Sequence, residues 1–377
     1  MREVCQSMSD IAQCMTNMTD CAVPVSVQRS FYRLSMRFLK VLLQFSLINA
    51  NNSGHHESPQ SSSSAMSSLL SATWQAVEST LQGIYTICSI DFSTPSSEFI
   101  STADKDLITQ TGIDTVIDLL SLTWSSLPRL FERVAIQFKS TQSTTRTSPQ
   151  EDRETNDLLL LLSSVAFACG AIRFYSQDDL HRKRLIHYAL IESLQEGTLI
   201  LSSNPHILQI YRSKGGLTIR NIAEKLISIL IQFMGTFRNF SLDRAGRDQL
   251  YEKTTIIASL CQLMKIYNKS AELSLHCTRI LAKLSLFDNF RSHLNQDAAS
   301  IQGLVGVIHT QCSLCSDIME GNNTHRSSSN NNDNNSDGKE EDYEEDEIEW
   351  PAWYTWPLIS RLCFTLSNLT TTNATNR

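Results

Sequence analysis

Two cysteines with a metal-like spacing are the residues of this sequence that come closest to a chemical site. Cys312 and Cys315 form a Cys-x-x-Cys pair, and His309 and His325 lie nearby in the sequence. A zinc site needs a second ligand pair at a fixed spacing, and the sequence has none. The pair also falls at the end of a predicted helix, where cysteine serves as a small apolar residue. We therefore expect no metal and no cofactor.

The other residues capable of chemistry are dispersed along the chain. The sequence contains no Gly-rich phosphate loop, no His-Glu-x-x-His zinc motif and no Gly-x-Ser-x-Gly nucleophile elbow. Its ten Cys and nine His are scattered over 377 residues. Because no acid, base and nucleophile are grouped in sequence, we predict that the protein is not an enzyme.

Charge is concentrated in one segment. The net charge is −7, and the window Asp333–Glu349 holds ten acids and one Lys, or −9, so the rest of the chain is about +2. That balance predicts no nucleic-acid partner. Scattered cysteines and a polar N-terminus without a secretion signal indicate a cytoplasmic protein. The most apolar run, Leu158–Ile172, is 15 residues long, which is short for a membrane span.

A helical motif that occurs three times organises the sequence. Its copies, Phe233–Ser241, Cys277–Ser285 and Leu362–Thr370, begin 44 and 85 residues apart, and a polar, acidic insert lies within the longer interval. Each copy has an apolar stripe at helical spacing that one helix cannot cover alone. A helical period of about 40–47 residues is typical of armadillo and HEAT solenoids, whose stacked units share one core. We therefore predict an all-α, armadillo/HEAT-like helical solenoid with a disordered acidic insert.

In an armadillo solenoid the third helix of each unit lines the inner face, where extended partners bind. The motif places six candidate partner-binding residues on that face: Arg238, Asn239, Arg279, Lys283, Phe364 and Asn368. Nuclear-import adaptors carry Trp four residues before the Asn, whereas this chain has Gly235, Arg279 and Phe364 at those positions. A receptor for nuclear-localisation signals is therefore disfavoured. The two Asn side chains either bind a partner or bond to nearby backbone.

Three stretches carry a resemblance to the armadillo-repeat family, namely Thr236–Ser241, Thr278–Ser285 and above all Arg361–Arg377. The likeness is to members that are non-catalytic scaffolds for building motile cilia and sperm flagella. It implies an adaptor that carries axonemal components, radial-spoke parts among them, with the intraflagellar transport machinery. It also implies a location in the cytoplasm and at the cilium or flagellum and its base. The alternative is a general cytoplasmic or nuclear armadillo protein-binding module, with the acidic insert as its ligand or autoinhibitor.

The expected organisation alternates helical segments with polar linkers. Breaks in the chain are expected at Asn204-Pro205 and Gly215-Gly216. The helices predicted from apolar periodicity are 29–47, 66–88, 103–122, 127–138, 157–174, 178–201, a short one near 247–251 and one at 256–266. Polar stretches without helical periodicity mark the boundaries, and the acidic insert cannot bury enough apolar surface to order itself. We expect the last repeat to be truncated, or its open end to be covered by another molecule, because no capping unit follows it. The predicted segments are an N-terminal helical segment (1–50), a Ser-rich linker (51–65), a degenerate helical repeat (66–139), a linker (140–156), a second degenerate repeat (157–214), armadillo repeats (215–313), the disordered insert (314–350) and a truncated repeat (351–377).

Overall fold

The described part of the chain is helical and contains no strand, which confirms the all-α expectation there. The computed structural model describes residues 10, 74–82, 85, 102–141, 149–187, 190–213, 216–252, 255–294, 301–313 and 352–371. The predicted N-terminal segment 1–50, the linker 51–65 and the insert 314–350 lie outside the described residues, apart from residue 10. The chain divides into two compact units, Met1–Thr254 and Thr255–Arg377.

In the described part of the first unit there are seven helices, preceded by the helical residues 74–82 and 85. They are α1 (Thr102–Thr141), α2 (Pro149–Tyr175), α3 (Asp179–His187), α4 (Leu190–Ser203), α5 (Pro205–Arg212), α6 (Leu217–Phe240) and α7 (Arg244–Glu252). The most extensive packing is between α2 and α6, and α1 packs on α2, α4 and α5. The core is apolar, and Trp124 of α1 meets Phe233 of α6 edge to face at 5.7 Å.

The second unit contains α8 (Ile256–Ile266), α9 (Ala271–Leu284), α10 (Asp288–Leu294), the helical residues 301–313 and α11 (Ala352–Thr371). Helix α9 packs mainly on α11 and also on α8. The repeated apolar stripe faces inward in both units. All stripe residues of α6 and α9 are buried, and among those of α11 only Leu366 is partly exposed. The stripe consists of Leu226, Leu230, Met234 and Phe237 in α6, Leu273, Cys277, Ile280 and Leu284 in α9, and Leu358, Leu362, Leu366 and Leu369 in α11.

Helix α1 corrects the prediction of two helices at 103–122 and 127–138. The chain stays helical through Pro128, although proline removes one helical hydrogen bond. Leu120, Trp124, Leu127 and Phe131 share one buried face across the proline, so burial of that face outweighs the lost bond.

Three further boundaries differ from expectation. Helix α2 begins at Pro149, a residue suited to the first helical turn, so both ends of the predicted linker 140–156 are helical. The single helix predicted at 178–201 is two helices, α3 and α4. Asn204, where a break in the chain is predicted, caps α5: its side chain accepts hydrogen bonds from the backbone N–H of His206 and Ile207 at 3.0 and 3.1 Å.

Candidate functional site: the helix joints and the ladder face

Three helices end in the same way, on a serine that directly follows the last helical residue. These are Ser176 after α2, Ser241 after α6 and Ser285 after α9. Each hydroxyl donates to a carbonyl oxygen three residues earlier. The acceptors are Arg173, Arg238 and Ala282, at 2.7, 2.6 and 2.8 Å. The last carbonyls of a helix have no partner within the helix, so these bonds close the helix ends.

An arginine six residues after each serine completes what we call the Ser–Arg joint. The Nη1 groups of Arg182, Arg247 and Arg291 donate to the backbone oxygens of the three serines. The distances are 3.4 Å to Ser176, 3.2 Å to Ser241 and 2.8 Å to Ser285. A cation at a helix C-terminus also interacts favourably with the helix dipole. The recurring Ser-x5-Arg spacing is visible in the sequence and could have identified the joint.

Asn239 and Asn368 connect two of the three joints, those at Ser176 and Ser285, to a neighbouring long helix. The side-chain amide of Asn239 donates to the Ser176 hydroxyl at 2.8 Å and to the Arg173 carbonyl at 3.2 Å. The Asn368 amide donates to the Ser285 hydroxyl at 3.0 Å. These bonds span 63, 66 and 83 residues of sequence. Both predicted partner-binding asparagines therefore tie helix ends together within a unit, and neither of these bonds is the local backbone bond considered from sequence.

Helices α2 and α6 lie side by side in the same direction. Early in the pair, Lys225 Nζ lies 6.0 Å from the ring centroid of Phe167. Further along, Arg173 Nη1 donates to Gln232 Oε1 at 3.2 Å. The joint with Asn239 closes the pair at its C-terminal ends. We call this surface the ladder face. It consists of the half-buried side chains of Phe167, Arg173, Lys225 and Gln232, with Tyr85 beside them.

Two glycines allow side chains from elsewhere in the first unit to lie across the helices of the ladder face. Gly170 and Gly235 each stand six residues before the serine of their joint. A Cβ at Gly170 would lie 2.5 Å from the Tyr85 ring, and a Cβ at Gly235 would lie 2.5 Å from Arg173 Nε. Since real Cβ atoms do not approach so closely, these positions require glycine for the ring and the guanidinium to lie across the helix.

Charge on the ladder face is partly compensated. Burial raises the pKa of the Glu78 carboxyl, while Lys225 and a hydrogen bond from Ser163 oppose that rise. Lys225 therefore has a carboxylate nearby. Within the described residues, Arg173 has the neutral Gln232 amide as its side-chain partner and forms no ion pair.

The tyrosine on this face stacks among other rings. Tyr85 lies 5.8 Å from Phe167 and 5.4 Å from Phe174, measured between ring centroids, with tilted planes. All three rings are partly exposed. Aromatic side chains with one open face bind extended peptides and other planar groups well. The ladder face therefore offers aromatic surface beside a guanidinium, a combination that supports binding.

The other predicted site residues are distributed between the units. Arg238 is exposed in the last turn of α6, in the first unit. Arg279 and Lys283 are half-buried on α9 and Phe364 is 46% exposed on α11, in the second unit. Burial and the Glu272 carboxylate raise the pKa of the Tyr354 hydroxyl, and Arg279 lowers it.

Sequence reasoning missed the side chains that form the ladder face. Arg173, Lys225, Tyr85, Phe167 and Gln232 all lie outside the predicted strip. The one available signal was Gly235, which occupies the position where nuclear-import adaptors carry Trp. Its meaning depends on Arg173, which is 62 residues earlier, so no local pattern reveals it.

Four thiols among the described residues have pKa values raised above the usual one. Burial raises the pKa of the Cys169 and Cys277 thiols, and it raises the pKa of Cys261 to about 12. Burial and the neighbouring Cys363 raise the pKa of Cys312. Because the thiolate is the reactive form, these shifts disfavour reaction. Cys315, the other half of the predicted pair, lies outside the described residues, and the described residues contain no group of three or more potential metal ligands.

One stretch, Thr155–Tyr175 in α2, is long and apolar enough to cross a membrane. The most apolar 18 residues of this stretch have a mean hydropathy of 1.9, and 61% of them are buried inside the protein. The helix packs against α1 and α6. A buried core helix meets the same criteria, so the expectation of no membrane span remains a prediction.

Comparison with family models, with curated proteins and with solved structures finds no match to this chain.

Proposed function

We propose that both units are built from one kind of repeat, as in an armadillo/HEAT-like solenoid, and that the chain is a protein-binding scaffold. The single observation that carries this proposal is the recurring joint. The same serine hydroxyl and arginine bonds close three helices, and an asparagine from the adjacent long helix reaches the serine in each unit. Recurrence of one hydrogen-bonded device at equivalent positions is what repeated units require.

The scaffold would be non-enzymatic and would serve the assembly of motile cilia and sperm flagella. Support comes from the armadillo-like motifs at 236–241, 278–285 and 361–377, together with thiols whose pKa values are raised rather than lowered. In this role the protein acts as an adaptor that carries axonemal components, including radial-spoke parts, with intraflagellar transport. It would work in the cytoplasm and at the cilium or flagellum and its base, without a cofactor, a nucleic-acid partner or a membrane span.

Proximity labelling in multiciliated cells tests the ciliary role. The full chain fused to a labelling enzyme should mark axonemal or intraflagellar transport proteins, and the fusion should concentrate at the ciliary base. The matched control is the same enzyme on an unrelated helical-repeat protein. Labelling of other cytoplasmic or nuclear proteins, with no ciliary proteins above this control, would instead indicate a general armadillo binding module.

A further inference from the structure

Arg173 is held in place on the ladder face, but its charge is not matched there. Its Nη1 donates to the neutral Gln232 amide at 3.2 Å, and its Nε and Cδ lie over Gly235. The side chain is half-buried, and within the described residues it forms no ion pair. A guanidinium has five donors in a fixed fork, so most of its hydrogen-bonding capacity is not used by Gln232.

The carboxylates beside Lys225 and just after the end of α2 are engaged with other residues. Glu78 interacts with Lys225 and Ser163. At the end of α2, Asp178 accepts a hydrogen bond from the backbone N–H of His181 at 3.0 Å. Asp179 pairs with Arg182 and Lys183.

Arg173 is also pre-organised. Its partner Gln232 fixes the guanidinium plane, and Gly235 removes the side chain that would otherwise occupy this position. A guanidinium held in this way binds a carboxylate through two parallel hydrogen bonds with little additional loss of conformational entropy. A phosphate backbone would be bound poorly, since it requires a run of cations and the nearby Lys225 is offset by Glu78.

We propose that the ladder face binds an extended acidic segment of a partner protein, with a carboxylate of that segment on Arg173 and an apolar or aromatic group against Phe167 and Tyr85. This inference rests on the proposed function, because it names the chemistry of the partner that the scaffold would bind. The aromatic rings supply apolar contact area, and the guanidinium supplies selectivity for a carboxylate.

Peptide binding to the full chain tests the inference. Fluorescence anisotropy would compare a labelled peptide of alternating Glu and Phe with the same peptide carrying Gln in place of Glu. Arg173→Gln should weaken binding of the acidic peptide by about tenfold or more, the usual effect of losing a charge-assisted hydrogen bond. Arg173→Lys should restore part of the affinity. The matched control is Arg244→Gln, since Arg244 lies on α7 with its side chain 86% exposed, and its affinity should equal that of the wild type.

A second variant keeps the test valid if Arg173→Gln fails to fold. Gly235→Ala leaves the charge in the protein but displaces the guanidinium from its position, so it should also weaken the acidic peptide. Hydrogen exchange of α2 and α6 would establish that each variant is folded. Equal binding of the Glu and Gln peptides, or equal affinity of the Arg173→Gln and Arg244→Gln variants, would overturn the inference. Competition by single-stranded oligonucleotide as strong as by the acidic peptide would also overturn it.

The outcomes separate this inference from the proposed function. Labelling of ciliary proteins without any binding of the acidic peptide removes the carboxylate site and leaves the scaffold role intact. Binding of the acidic peptide at Arg173 without labelling of ciliary proteins supports the site and removes the ciliary role.

Discussion

Replacing two mid-helix glycines by alanine should change stability in opposite directions. Gly197 lies in α4 beneath Trp124, and a Cβ there would stand 2.7 Å from ring atom Cε2 and 2.9 Å from Cη2. Gly303, in the helical residues 301–313, has nothing within 4 Å of the same position. Both alanines gain about 0.5–1 kcal/mol of helix propensity. Only the alanine at Gly197 must displace a neighbour.

The cost at Gly197 follows from the surroundings of Trp124. The Trp124 side chain is 2% exposed, and its ring centroid lies 5.7 Å from that of Phe233 in an edge-to-face arrangement. The ring therefore has little space into which to move. Overpacking of a filled core costs about 1–3 kcal/mol. The helix-propensity gain cancels between the two variants, so Gly197→Ala should be less stable than Gly303→Ala by about 1–3 kcal/mol.

Hydrogen exchange followed peptide by peptide is the appropriate assay, because the two glycines lie in different units and exchange reports local opening free energies. Protection should fall in α4 for Gly197→Ala and rise in 301–313 for Gly303→Ala. A double-mutant cycle with Trp124→Leu supplies the decisive control, since trimming the ring should remove most of the cost of Gly197→Ala. Equal effects of Gly197→Ala in the presence and absence of the Trp124 ring would refute the packing argument.

Three other substitutions test the joints and the buried charge. Asn239→Ala removes two hydrogen bonds between neighbouring helices and should lower the free energy of unfolding by about 1–3 kcal/mol in urea denaturation. The Arg182 side chain bonds two backbone carbonyls and an aspartate. Arg182→Leu should therefore lower the free energy of unfolding by about 2–3 kcal/mol. The control Arg244→Leu, on the surface, should stay within about 0.5 kcal/mol of the wild type. The pKa of the Glu78 carboxyl is raised, so the folded state holds this proton more tightly and wild-type stability should fall as the pH rises above the usual glutamate pKa of 4.5. Glu78→Gln should lose that dependence. An unchanged pH profile of this variant in thermal unfolding would contradict the assigned burial.

Helices with strong periodicity were predictable from sequence. The helix at 256–266 was expected at the bounds that α8 has, and the short helix expected near 247–251 is α7. The apolar stripes of α6 and α9 are buried as their spacing indicated. These features depend on residues within one or two turns of each other, and local sequence contains that information.

Features that depend on distant residues were not predictable in the same way. Two helices were predicted at 103–122 and 127–138, yet the buried face on both sides of Pro128 keeps α1 continuous. Asn239 has a local pattern that permits either a partner or its own backbone, and its actual acceptors, Ser176 and the Arg173 carbonyl, are 63 and 66 residues away. The local pattern around these residues allows more than one outcome, and tertiary packing selects between them.

The glycines of the ladder face show why a position-by-position comparison with armadillo motifs was insufficient. A helix with a larger residue at this position presents its own side chain, as α9 and α11 do with Arg279 and Phe364. A helix with glycine is instead crossed by a side chain from elsewhere in its unit, and this occurs twice, with a tyrosine ring over Gly170 and a guanidinium over Gly235. The side chain presented at each such position is therefore set by two parts of the chain together, so a substitution at Gly170 or Gly235 should alter the position of Tyr85 or Arg173 as well as its own helix.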